Sequence, residues 1–277
     1  MTLRVILLLL IQSPLLVAQT TDALIGARAT ALGLCTATLQ DDHSLLHNPA
    51  GIAAPGKTML STSFQVFPGM PDGFHKGAAI FTLPMNGWGV GMAMTSTGDA
   101  HYHENGALFG LAHLIGNTSL GIRASLYSFQ NELTGAQWRP GLTLGGITRL
   151  TENVSVGAYI SNLNAIYARQ AWTASIPVRM SVGLRWHVSR WAGLTELVQE
   201  SGFKPDLRGG IEWQIRKNAW LRSGFHLLPI RFSLGFGFNG RSLKLHYASE
   251  YHTLLNLSHQ FTLSIHVGQR PAQKPAK

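Results

Sequence analysis

From about residue 58 to residue 267, apolar and polar side chains alternate along short stretches of the chain. Between positions 179 and 188 one face is polar or glycine, and the other consists of Met180, Val182, Leu184, Trp186 and Val188. Successive side chains of a β-strand point to opposite faces, so a period of two predicts strands. The sequence therefore predicts an all-β fold in which each strand has one apolar face.

The alternating region divides into fourteen predicted strands, most of them 8 to 12 residues long. This length is close to the ~9–11 residues that a tilted transmembrane strand needs. The strands are predicted at residues 58–66, 76–83, 87–95, 106–114, 118–129, 139–149, 153–161, 178–188, 190–199, 206–216, 219–227, 230–239, 241–250 and 258–267.

The connections between these strands alternate between longer and very short. The longer ones are predicted at residues 67–75, 96–105, 130–138, 162–177, 200–205 and 251–257, and only the gap at 228–229 breaks the rule. Outer-membrane barrels have short periplasmic turns and longer outside loops. A soluble β-sandwich also alternates, but the connections favour a 14-stranded antiparallel transmembrane β-barrel at residues 57–268, with both ends on the periplasmic side.

Composition and the chain termini fit an exported barrel. Hydrophobic residues make up 45% of the chain and charged residues 13%, about half the ~25% usual in soluble domains. Residues 1–19 have one early positive charge, a short apolar run and a small residue near the end, which predicts a cleaved signal peptide. Residues 269–277 are predicted to be a disordered basic periplasmic tail. We therefore expect the protein in the cell outer membrane, after signal-directed export.

The net charge of +9 and the isoelectric point near 10.1 suggest an anionic binding partner. Nucleic acid is the usual partner of such a charge, but an exported chain rarely meets it and the basic residues are dispersed along strands, so nucleic acid is not expected. The expected partner of a transmembrane barrel is outer-membrane lipid. Cys35 is the only cysteine, so no internal disulfide can form, and a buried small residue is expected there. Tryptophans near predicted strand ends are candidates for interfacial aromatic girdles: Trp88, Trp138, Trp172, Trp191 and Trp220.

Candidate catalytic and metal-binding residues are sparse. The best metal candidate is a predicted outside loop with Asp99, His101, His103 and Glu104, which we interpret as a solvated polar loop because a distant anchoring ligand is missing. Asp42, His43 and Ser44 are neighbours in sequence, but a catalytic triad is defined by geometry. We predict no catalytic residues, no metal and no cofactor. An outer-membrane enzyme that uses His101 or His43 remains a less favoured hypothesis.

The segment before the strands carries a motif. In order it contains Gly26-Ala27-Arg28, a small-residue run to Gly33, Asp41-Asp42 and Asn48-Pro49-Ala50-Gly51. This arrangement resembles the start of the PorV/PorQ family, outer-membrane barrels related to the long-chain fatty acid transporter FadL. The fourteen predicted strands also match a FadL-like barrel. The resemblance covers about 30 residues in its motif, and the strand pattern extends it to the barrel.

The resemblance implies that residues 20–56 fold into the lumen as a hatch. We expect Asp41 and Asp42 to face a basic lumen wall, because buried charges need partners. The predicted basic wall consists of Arg123, Arg179, Arg185, Arg208, Arg222, Arg231 and Lys244. Arg28, Asn48, Pro49 and Gly51 are predicted to be structural residues of the hatch.

Two functions follow from the resemblance. The first is a role in protein export or surface attachment linked to type IX secretion, with secretion-system proteins or cargo as partners. The alternative is a FadL-like transporter of long-chain fatty acids or other hydrophobic small molecules, in which the basic lumen attracts the carboxylate of the ligand. Loops shorter than those of well-known relatives weigh against large extracellular cargo-binding loops.

Overall fold

The computed structural model describes residues 24–54, 56–70, 73–99, 101–131, 135–166, 176–253 and 255–268. The predicted signal peptide at residues 1–19, the predicted tail at residues 269–277 and Trp172 lie outside the described residues.

Fourteen antiparallel strands close into one barrel. Each strand pairs with its neighbours in sequence, and β14 pairs with β1 through a register that begins at Met59 and His266. The strands are β1 (Met59–Val66), β2 (His75–Met85), β3 (Trp88–Gly98), β4 (Tyr102–Ile115), β5 (Thr118–Asn131), β6 (Gly135–Arg149), β7 (Val154–Ser161), β8 (Arg179–Val188), β9 (Trp191–Glu200), β10 (Asp206–Arg216), β11 (Ala219–His226), β12 (Arg231–Asn239), β13 (Leu243–His252) and β14 (Asn256–His266). The predicted fold class and strand count are confirmed.

The two faces of the wall differ as the alternation predicts. Large apolar side chains such as Met94, Leu234 and Phe232 point outward and are 60–72% exposed. The intervening side chains point inward and are buried, among them the fully buried Gln260. An apolar outer band and a closed backbone ladder are what a lipid environment requires of a β-structure.

Three predicted loops, at residues 96–105, 130–138 and 251–257, are wrong, because strands occupy most of their length. β3 continues to Gly98 and β4 begins at Tyr102, so His103 and Glu104 belong to a strand and only Asp99 and His101 lie in the connection. Similarly, β5 and β6 extend into the predicted loop at residues 130–138. These strand ends are polar, so the apolar alternation that predicts a strand is lost there although pairing continues. Within the described residues, no three histidine, cysteine, aspartate or glutamate side chains are grouped to hold a metal ion.

The barrel has two distinct ends. The turn end holds the tight connections that follow β2, β4, β6, β8, β10 and β12, together with the start of β1 and the end of β14. The loop end holds the other connections. Trp88 stacks on His113 and Trp191 stacks on Trp213, with ring centroids 4.1 and 5.0 Å apart, and all four residues lie near the turn end. Trp138 is 59% exposed near the loop end, and Trp220 is half-buried. The girdle remains a prediction.

Residues 24–54, which we call the inner segment, lie inside the barrel. They contain helix α1 (Ala27–Ala31) and two short 3-10 helices, Asp42–Leu46 and Pro49–Ala53. Helix α1 packs against β11–β14, and the second 3-10 helix packs against β2–β6. Nearly every residue from Ile25 to Ala53 is buried. No helix of the described residues is long and apolar enough to cross a membrane.

Glycines on the inward face of the wall make room for the inner segment. A Cβ atom on Gly157 would lie 2.0 Å from the Ala37 carbonyl oxygen, and one on Gly121 would lie 2.3 Å from the Ala50 nitrogen. Gly224, on the opposite part of the wall, would place a Cβ 2.0 Å from the Gly33 nitrogen. The wall therefore contacts the inner segment backbone to backbone, which no residue with a side chain would allow. This contact explains why so many glycines interrupt otherwise regular strands.

We predict that Gly157→Ala destabilises the folded barrel by about 1–3 kcal/mol, the usual cost of overpacking. The added methyl group must displace the backbone at Ala37. Gly77→Ala is the matched control, because Gly77 is also within a strand and its nearest neighbour to a new Cβ is 3.9 Å away. Thermal unfolding followed by tryptophan fluorescence measures both. Equal unfolding temperatures for the two variants would contradict the close seating of the inner segment.

Candidate functional site in the lumen

Two cavities lie on either side of the inner segment. The turn-end cavity has a volume of about 490 Å³, and its lining includes Arg28, Asp42, Glu212 and Lys244. The loop-end cavity has a volume of about 260 Å³, and its lining includes Lys76, Arg208 and Glu250. Leu24, Thr30 and Leu34 of the inner segment line the loop-end cavity, whereas Arg28 and Asp41 line the turn-end cavity. The inner segment therefore forms part of the boundary of both cavities.

Arg28 joins the inner segment to the wall at the turn-end cavity. Its guanidinium bonds to both carboxylate oxygens of Glu212, at 2.9 and 3.1 Å, and to Asp41 at 3.1 Å. Burial opposes the charged form, but the carboxylates of Glu212 and Asp41 raise the pKa of Arg28 above its usual value. Such a bidentate, charge-assisted contact is stronger and more directional than a neutral hydrogen bond.

Asp42 is the second charged link between the inner segment and the wall. Its carboxylate lies 3.9 Å from the Lys244 ammonium group and accepts hydrogen bonds from Ser61 and, at 2.8 Å, from Ser264. Burial opposes ionisation of Asp42, but these partners and His43 hold the pKa of its carboxyl group well below the usual range. Asp42 therefore stays ionised and fixes the start of the first 3-10 helix to β1, β13 and β14.

The predicted pairing with the basic wall is found for Asp42, which lies 3.9 Å from Lys244, and not for Asp41. Asp41 and Asp42 do lie in the lumen, but Asp41 pairs with Arg28 of its own segment. Most predicted basic wall residues pair with carboxylates of the wall. These pairs are Arg179–Glu200 at 2.6 Å, Arg185–Glu212 at 3.6 Å, Arg208–Asp206 at 2.7 Å, Arg222–Glu212 at 2.7 Å and Arg231–Glu250 at 3.5 Å. Sequence reasoning missed the wall carboxylates, although hairpin register places Glu212 opposite Arg222 and Glu200 opposite Arg179.

Other wall residues hold the backbone of the inner segment. Arg123 is 1% exposed and donates hydrogen bonds to the carbonyl oxygens of Leu45 and Leu46, at 3.0 and 2.7 Å. Glu196, which the sequence did not single out, accepts a hydrogen bond from the Ala37 N–H at 2.7 Å. Arg208 donates to the Leu34 carbonyl oxygen at 3.3 Å. These contacts satisfy buried backbone groups that have no strand or helix partner.

The motif residues Asn48, Pro49 and Gly51 shape the inner segment. The Asn48 amide donates to the Ala37 carbonyl oxygen at 2.6 Å, and its own carbonyl oxygen accepts from the Ala50 N–H, as helix N-caps do. Pro49 begins the second 3-10 helix, where a missing N–H has no cost. A Cβ on Gly51 would lie 2.3 Å from the Leu39 carbonyl oxygen. All three contribute contacts within the fold.

Asp42, His43 and Ser63 are arranged in the order of a catalytic triad. His43 Nδ1 is 3.4 Å from Asp42, and His43 Nε2 is 2.7 Å from the Ser63 hydroxyl. However, Ser63 is 2% exposed, shares its hydroxyl with Thr262 at 2.6 Å, and lines neither of the two lumen cavities. A nucleophile must be within reach of a substrate carbonyl, so this arrangement is a buried polar network.

A closed, antiparallel fourteen-stranded barrel with an apolar outer face has the architecture of an outer-membrane β-barrel. No protein-family model and no curated protein sequence matches the chain. Among solved structures, the chain is similar to the Pseudomonas putida toluene transporter TodX, with 11% identity and a TM-score of 0.67, covering 90% of this chain and 98% of that one. It is also similar to the monoaromatic hydrocarbon channel CymD, with 12% identity and a TM-score of 0.62, covering 87% and 96%.

A third similar structure is the Acinetobacter baumannii outer membrane protein Omp33, with 7% identity and a TM-score of 0.51, covering 76% of this chain and 98% of that one. At such identities the likeness shows the fold. The predicted closed barrel fold is thereby supported, whereas the PorV/PorQ resemblance is not confirmed.

We predict that Arg28→Met loosens the inner segment. Charge-assisted hydrogen bonds contribute about 1.5–3 kcal/mol, so local opening should increase at least about tenfold. Cys35 is the built-in reporter, because it lies in the inner segment, is 1% exposed, and has a thiol whose pKa is raised by burial. Labelling by a water-soluble maleimide should therefore be slow in the wild type and faster in Arg28→Met. Lys217→Met, in an exposed turn, is the control; equal rates in all three proteins would contradict the role of Arg28.

We also predict a pH-dependent contribution from His47. The His47 ring is 1% exposed, neither ring nitrogen hydrogen-bonds to another described residue, and burial lowers its pKa to about 3. Between about pH 6.5 and 3 the unfolded chain binds a proton there that the folded state does not. The free energy of unfolding therefore falls as the pH falls through this window, by about 1.4 kcal/mol per pH unit.

Unfolding by urea in detergent at several pH values measures this contribution as the difference between wild type and His47→Gln. The contributions of titratable groups that both proteins share cancel in this difference of unfolding free energies. His187→Gln, which changes an exposed histidine, is the control. A difference that does not vary between pH 7 and pH 4 would show that His47 is hydrated in the folded barrel.

Proposed function

We propose that this protein is a non-enzymatic outer-membrane channel for small hydrophobic molecules that carry an acidic group. The similar solved structures include a toluene transporter and a monoaromatic hydrocarbon channel, which support a channel for hydrophobic molecules through a shared fold. An excess of basic residues in the lumen of this chain supports the acidic group. Outer-membrane lipid is the surrounding partner, and its contact surface is the apolar outer face of the strands.

The loop-end cavity is the observation that carries the proposal. Apolar side chains contribute to its lining, among them Phe67, Phe203, Leu228 and Leu255. Five basic residues and three carboxylates also line it, which gives a net charge of +2: Lys76, Arg179, Lys204, Arg208 and Arg231 against Glu200, Asp206 and Glu250. An apolar tail and a carboxylate would both find complementary surroundings there.

The inner segment is the proposed barrier to passage. It contacts the wall around the barrel and separates the loop-end cavity from the turn-end cavity. A molecule that crosses must therefore displace part of this segment. Its charged links to the wall, through Arg28 and Asp42, both line the turn-end cavity.

The secretion role remains the second hypothesis, and it rests on the resemblance of the motif between Gly26 and Gly51. The structure gives Asn48, Pro49 and Gly51 contacts within the inner segment, so these residues are explained without cargo or secretion partners. Deletion of the gene separates the two roles. Under the channel proposal, uptake of a hydrophobic acid falls and the set of surface-attached proteins is unchanged; the reverse result would favour secretion.

The channel proposal predicts selective binding of a hydrophobic acid to the purified barrel. Decanoate should bind more tightly than decanol, which has the same tail and no charge, when both are titrated calorimetrically below their aggregation concentrations. Lys76→Gln combined with Lys204→Gln brings the net charge of the loop-end cavity from +2 to 0 and should weaken decanoate binding about tenfold, or about 1.4 kcal/mol.

The control removes the same charge elsewhere. Arg190→Gln combined with Lys217→Gln changes two exposed residues in turn-end connections, and decanoate binding should stay at the wild-type level. Equal binding of decanoate and decanol would rule out recognition of the acidic group. Equal weakening by both double variants would show a general effect of net charge.

A further inference from the structure

The turn-end cavity is more cationic than the loop-end cavity. Three carboxylates line it, from Asp41, Asp42 and Glu212, and they face six basic side chains. These are Arg28, Lys57, Arg185, Arg222, Arg241 and Lys244. With neutral histidines the lining has a net charge of +3, within a volume of about 490 Å³. Concave surfaces of one charge concentrate ions of the opposite charge.

One of the three excess positive charges lies in a cluster around Glu212. Three guanidinium groups, those of Arg28, Arg185 and Arg222, lie within 3.6 Å of this one carboxylate. Asp41 neutralises only one further charge, through Arg28. The cluster therefore retains one uncompensated positive charge beside the cavity, where the surrounding wall excludes much of the water that would otherwise screen it.

Two guanidinium nitrogens of the cluster still lack an acceptor. Neither Arg222 Nη1 nor Arg185 Nε hydrogen-bonds to another described residue, and Arg222 is 4% exposed. Gly237 makes room for Arg222, since a Cβ there would lie 2.3 Å from Nη1. A buried donor without an acceptor is costly, so this position favours an added acceptor.

We infer that the turn-end cavity is a binding site for a small oxyanion, a carboxylate or a phosphate, with Arg185, Arg222 and Lys244 as its donors. Oxyanions fit because guanidinium groups bond to two oxygens at once and an ammonium group adds a point charge. Most of the residues that line the cavity are polar or charged, which suits an anionic group. The inference does not depend on the proposed passage of hydrophobic acids.

Thermal unfolding of the purified full-length barrel tests this site, with inorganic phosphate, acetate or decanoate added against chloride at constant ionic strength. Phosphate or acetate should raise the unfolding temperature in a saturable way, because a ligand of the folded state stabilises it. Stabilisation by phosphate alone would identify a phosphate site, and stabilisation by both carboxylates would identify a carboxylate site. No saturable difference from chloride for any of the three anions would overturn the proposal.

Variants assign the binding to this cavity. Arg185→Gln should weaken binding of the stabilising anion at least tenfold. Arg190→Gln, in an exposed turn at the same end, should leave the affinity for this anion unchanged. Lys244→Gln is the second test, because Arg185→Gln changes the surroundings of Glu212. Unchanged affinity in both cavity variants would overturn the assignment. Lys76→Gln with Lys204→Gln, at the loop end, should leave anion binding intact, so failure of the channel proposal and failure of this site give different results.

Discussion

Close approach of the inner segment to the wall is the constraint on which the rest of the structure depends. A fourteen-stranded barrel encloses more space than the inward side chains of this wall fill, and the inner segment occupies much of this space between the two cavities. Contacts such as Gly121 against Ala50 and Gly224 against Gly33 leave no room for a side chain. The small residues of α1, three of them alanines, serve the same purpose from the inner side. Size complementarity therefore governs both the composition of the strands and that of the segment.

Ion pairs fix the position of the packed inner segment relative to particular strands. Arg28 fixes one part of the inner segment to β10, and Asp42 fixes another part to β1, β13 and β14. Three ion pairs of the wall join adjacent strands, as Arg179 does with Glu200. A charge buried without a partner is costly, so these pairs hold many polar side chains inside a barrel whose outer face is apolar. The charges that remain in excess line the two cavities.

The strands could be predicted from the sequence, but the partners of the buried charges could not. Alternation with period two predicted all fourteen strands, because one face of each meets an apolar environment. The polar beginning of β4, at Tyr102–Glu104, has no such pattern, so the sequence predicts a loop where the structure has a strand. The partner of Arg222 is Glu212 on the neighbouring strand, a relation set by hairpin register. The abundance of glycine is visible in the sequence, but its cause is not, because the contacts join residues that are far apart in the sequence, such as Gly157 and Ala37.

The same packing gives the lumen its proposed function. A segment that touches the wall on all sides, and that carries its charged links at one end, separates a loop-end cavity suited to hydrophobic acids from a turn-end cavity suited to anions. Single-channel recording in planar bilayers decides whether this segment closes the barrel. The wild type should show no steady ionic conductance, and a refolded variant without residues 24–54 should show a large one. A steady open conductance in the wild type, or none in the folded deletion variant, would contradict closure by the inner segment.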